Sequence, residues 1–102
     1  MIAIQFSPVY EDRVSIYLKQ SGLKNIGVTY EFRDTPGQEN ERNCFWVFKY
    51  DHSKQVNPIL SSLKEMKSIM GIDDLKFCHC YNDKEYYNQY SAIHGSIPWF
   101  NL

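Results

Sequence analysis

The side chains with the most chemistry to offer in this 102-residue sequence are its three histidines and three cysteines. Cys78 and Cys80 stand two apart with His79 between them. On a strand that spacing turns both thiols to one side and the imidazole to the other, so the three cannot close on one metal ion. Two thiolates fall short of the four ligands of a structural zinc site, and the spacing is shorter than the usual C-x2-C knuckle. Small buried core residues are the reading of this run, and neither a metal nor any other cofactor is expected. Asp51-His52-Ser53-Lys54 sets an imidazole beside a carboxylate in a connecting segment, where general-base chemistry is often found. Sequence neighbours on an extended segment point apart, so an exposed loop is the plainer reading. His94 lies between apolar residues and beside Gly95, a setting that suits an interface or a pocket. His79, His94 and His52 are thus the candidates for acid/base work, and none of them is assigned a catalytic role.

Rings are the other conspicuous feature. Eight Tyr, six Phe and two Trp are more than one core of this size needs. Tyr81, Tyr86, Tyr87, Tyr90, Trp99 and Phe100 gather towards the C-terminus, and Tyr and Trp dominate the energetics of protein interfaces. Tyr86, Tyr87, Tyr90, His94, Trp99 and Phe100 are therefore the candidate partner-binding residues. The competing reading is that these rings close an exposed sheet face.

The elements that must position these residues follow from periodicity. Ile2, Ile4 and Phe6 alternate with Ala3 and Gln5 as a short strand, after which Ser7-Pro8 supplies a cap and a pre-set first helical position. Tyr10, Val14, Tyr17, Leu18 and Ser21 keep to one face of a 3.6-residue period, stopped by Gly22. Ile26, Val28, Tyr30 and Phe32 alternate strictly with Gly27, Thr29, Glu31 and Arg33, which predicts a strand with one wet face. Asp34 to Arg42 is polar and carries Thr35-Pro36-Gly37, which reads as a hairpin loop. The run Cys44 to Tyr50 suits a central strand covered on both faces. Asn57-Pro58 repeats the cap-plus-proline device. Ile59, Leu60, Leu63, Met66, Lys67 and Met70 then hold helical spacing as far as Gly71. Leu75 to Tyr81 reads as a fourth strand, and Asp83 as the cap of a short amphipathic stretch. Ile93, Ile97, Trp99, Phe100 and Leu102 make the last twelve residues too apolar for a loose tail. Pro98 favours an extended segment there, and burial of the tail by crossing to a second copy is the expectation.

That order is βαββαβ over residues 2–81, followed by a C-terminal helical turn and apolar tail over 83–102, all in a single domain 1–102. It predicts an α+β fold, the ferredoxin-like two-layer sandwich with an antiparallel sheet of order 4-1-3-2 and a C-terminal aromatic extension. Two helices cover one face of such a sheet, so something must cover the other. The fold and the run Arg42 to Tyr50 invite comparison with the RNA-recognition motif, which stacks bases on strand aromatics. That motif wants Gly and an aromatic after the basic residue, where this chain has Asn43 and Cys44. Its strand-one stacking position falls on Ala3.

Eleven Lys and Arg against twelve Asp and Glu leave a net charge of -1, too little field to hold phosphates, so nucleic acid is an unexpected partner. No stretch approaches the ~18 apolar residues of a transmembrane helix. The N-terminus lacks the basic region of a signal peptide, and three cysteines cannot pair completely, so reduced thiols in a cytoplasm are expected. Three functions remain in view. The first is a small cytoplasmic protein-binding module of the inhibitor, immunity, antitoxin-like or phage-encoded modulator kind, acting on a protein partner or on itself as a homodimer. The second is a dimeric α+β barrel enzyme with an apolar pocket and a histidine acid/base. The third is an RNA-binding ferredoxin-like domain. The absence of catalytic motifs favours the first.

Overall fold

A computed structural model describes residues 1–33, 43–79 and 99–102. Among them the chain forms a small α+β domain with two helices on a five-stranded antiparallel sheet. Strand β1 is Ile2–Phe6, β2 Thr29–Arg33, β3 Cys44–Lys49, β4 Lys76–His79 and β5 Phe100–Asn101, and the helices are α1 Glu11–Gln20 and α2 Val56–Met70. The sheet order is β2-β3-β1-β4-β5. It departs from the expected four-strand order 4-1-3-2 by a fifth strand, because the end of the tail hydrogen-bonds to β4.

Both helices owe their placement to the stripes read from the sequence. Val14 and Leu18 of α1 and Ile59, Leu63 and Met66 of α2 are fully or almost fully buried, at i, i+4 and i, i+4, i+7 spacing. They close over Ile2, Ile4 and Phe6 of β1 and over Phe48 of β3, with Tyr30 partly buried at the margin. Each buried Leu, Ile, Val, Met or Phe contributes roughly 1.5–3 kcal/mol of transfer free energy, so this one layer dominates the stability. Glu11 and Asp12 in the first turn of α1 and Lys19 in its last complement the helix dipole. At the end of α2, Gly71 takes φ +64, and the next residue, buried Ile72, donates its N–H to the Lys67 carbonyl at 3.1 Å.

Several boundaries differ from the sequence reading. Helix one is preceded by a separate 3-10 turn at Pro8–Tyr10, which Ser7 caps by accepting the Val9 N–H at 3.4 Å. The strand expected from Ile26 begins only at Thr29. Leu23–Ile26 is a 3-10 turn held between Gly22 and Gly27, at φ +77 and +86, and the Val28 N–H closes back on the Leu23 carbonyl at 3.1 Å. Two left-handed glycines so close together bend the chain more than an alternating pattern can resist. Asn57 is not the cap of helix two. It lies inside α2, which a 3-10 turn at Ser53–Gln55 leads into, and Gln55 caps that turn rather than the helix: its Oε1 accepts the backbone N–H groups of Asp51 (2.9 Å) and His52 (2.8 Å), while its Nε2 donates to the Ile26 carbonyl. The fourth strand begins at Lys76, one residue later than expected, with Leu75 buried just ahead of it.

The second sheet face is also covered. Ala3, Phe45, Val47 and Cys78 are buried there, and Met1 and Trp99 pack against them. Trp99 to Leu102 therefore returns to its own sheet, which corrects, for these residues, the expectation of a tail buried by crossing to a second copy. The loop 34–42, Cys80, Tyr81 and the expected helical turn after Asp83 lie outside the described residues. No helix among the described residues is long and apolar enough to cross a membrane.

Candidate functional site

The candidate site is built by β4 and β5. Alternation along β4 turns Phe77 and His79 to the helix side of the sheet and Lys76 and Cys78 to the other, as the spacing of Cys78 and His79 requires. Antiparallel register sets Phe100 opposite Phe77 and Asn101 opposite Lys76. The strand is then tied down by Leu102, whose N–H donates to the Leu75 carbonyl at 3.1 Å and whose oxygen accepts from Lys67 Nζ at 2.8 Å. The Phe77 ring meets the Phe100 ring at 5.9 Å and the His79 imidazole edge-on at 5.8 Å. Phe77 is half-buried against the main core and His79 is exposed, whereas Phe100 presents 54% of its surface to solvent.

Adjacent residues Trp99 and Phe100 thus part company. Trp99 turns to the second face and meets Phe45 at 6.1 Å, covering buried residues. Phe100 remains outside. Of the six expected partner-binding residues these two are described, and the structure separates them; Tyr86, Tyr87, Tyr90 and His94 lie outside the described residues. His52 is exposed at the turn that leads into α2, far in sequence from His79, and its backbone N–H is held by Gln55. A dimer of facing sheets would enclose the face that carries Ala3, Phe45, Val47 and Cys78, whereas His79 points to the opposite one. Among the described residues no group of three or more His, Cys, Asp or Glu side chains is arranged to hold a metal ion.

Two further features escaped the sequence reading. Cys44 is buried, and its thiol donates to Glu11 Oε2 at 3.6 Å. Burial, then the charge of Glu11 and its hydrogen bond, push the thiol up to about 12 from its ordinary 9.0. The unfolded chain therefore loses this proton first, and stability that is complete below pH 9 drains away as the pH rises towards 12. Burial raises Tyr17 and Tyr30 as well, so they add to the same slope from higher pH. Replacing Cys44 by Ala is expected to flatten the dependence of the urea midpoint on pH between 9 and 12; an unchanged slope would show that the tyrosines carry it all.

The second is an aromatic ladder on β2 and β3. Tyr30 meets Trp46 and Phe48, each at 5.9 Å, and Phe32 meets Trp46 edge-on at 6.2 Å. Lys24 Nζ sits 5.1 Å from the centre of the Tyr30 ring. Tyr30 Oη and Trp46 Nε1 are buried and make no hydrogen bond among the described residues. A buried donor without an acceptor forfeits about 1–3 kcal/mol of hydration. Tyr30→Phe, which removes one such group and keeps the ring, is expected to leave the urea midpoint unchanged or higher. A loss of more than about 1 kcal/mol would reveal an acceptor for the hydroxyl. The signal for this ladder was present in the alternation of Tyr30 with Phe32 and of Trp46 with Phe48, but only the hairpin register brings the pairs together.

No protein-family model, curated protein or solved structure matches this chain significantly.

Proposed function

We propose that this chain is a small protein-binding module that acts through a surface, with Phe100 as its anchor and Phe77 and His79 beside it. On this reading the architecture is a ferredoxin-like sandwich with one strand added: taken from β4 inwards the strands run β4-β1-β3-β2, and β5 extends the sheet beyond β4. The observation that carries the proposal is the exposure of Phe100 on a strand whose backbone is fixed by β4 and by the contacts of Leu102. An aromatic ring held in place by its backbone loses little freedom when a partner covers it, and such rings supply much of the energy of protein interfaces. Its ligand is a protein or a second copy of the chain, in the manner of an inhibitor, immunity or antitoxin-like protein or a phage-encoded modulator. Buried cysteines such as Cys44 and Cys78 suit a reducing cytoplasm.

The test is a photoreactive phenylalanine analogue placed at Phe100 or, as a control, at Val9, which is 73% exposed on the turn before α1. Illumination in cells of the source is expected to give a discrete adduct from position 100 and none from position 9. An adduct of twice the chain mass identifies a second copy, and one of another mass a different protein. Failure to form a discrete adduct at Phe100, or identical adducts from both positions, overturns the proposal.

A further inference from the structure

We draw no further inference here: the strongest candidate, the outer edge of β2 with the 45%-exposed Phe32 ring on it, is a strand edge unpartnered among the described residues, and nothing in the structure shows what covers it.

Discussion

Leu63→Ala is expected to cost about 2–5 kcal/mol, the range for removing a buried Leu side chain whose surroundings relax only in part. Leu63 has no solvent exposure and stands midway along the stripe of α2, with Ile59 one turn before it and Met66 nearly one turn after. Its cluster includes Ile2 and Ile4 of β1 and Phe48 of β3, strands that are themselves fixed by pairing on both sides. Little is free to collapse into the space left behind. The expected value lies towards the upper half of that range, and the urea midpoint measures it. Equal change in a second probe, Trp fluorescence against far-ultraviolet circular dichroism, checks that unfolding stays cooperative. A shift equivalent to less than half a kilocalorie per mole would remove α2 from the core.

Deleting Trp99 to Leu102 is expected to destabilise the protein, with about 3–5 kcal/mol, the range for truncating a fully buried large aromatic, as the ceiling for the partly buried Trp99 ring. The deletion takes away the ring against Phe45, the pairing of β5 with β4, the Leu102 to Leu75 hydrogen bond and the Lys67 contact together. It also uncovers Phe77 on one face and part of the Ala3, Phe45, Val47 and Cys78 cluster on the other. Exposing apolar surface on both faces at an edge invites association, so a lower thermal midpoint is expected to come with a concentration-dependent mass in solution. Phe100→Ala separates the two roles of the segment. It removes a ring that is largely exposed, so the thermal midpoint should move far less than with the deletion. A deletion with an unchanged midpoint would sink the structural role of β5.

Much of the fold was legible in local pattern. The stripes Val14–Leu18 and Ile59–Leu63–Met66 set two helices, and the alternation through β1 and the dense apolar run of β3 set two strands, because periods of 3.6 and 2 report which side of an element is dry. The stop at Gly71 was legible for the same local reason: a residue at φ +64 strains any side chain. The start of β2 was not. Ile26 fits the alternation, yet Leu23–Ile26 winds into a 3-10 turn between the left-handed Gly22 and Gly27, which leaves Ile26 45% exposed with its carbonyl accepting from Gln55, twenty-nine residues away. Nor was the start of α2, where the 3-10 turn Ser53–Gln55, closed by the Gln55 side chain on the Asp51 and His52 N–H groups, runs straight into the helix and leaves Asn57 inside it.

By itself, then, the sequence determined the α+β class, the two apolar helix faces, the interior place of β3 and the opposed directions of Cys78 and His79, all consequences of local geometry repeated every two or three to four residues. Tertiary structure alone decided that a fifth strand joins β4, that Trp99 turns in while Phe100 turns out, and that Cys44 meets Glu11. Each of these depends on register between segments distant in the chain. A single residue of slip along β4 would exchange the faces of Trp99 and Phe100, and composition and periodicity within the tail are the same in either register.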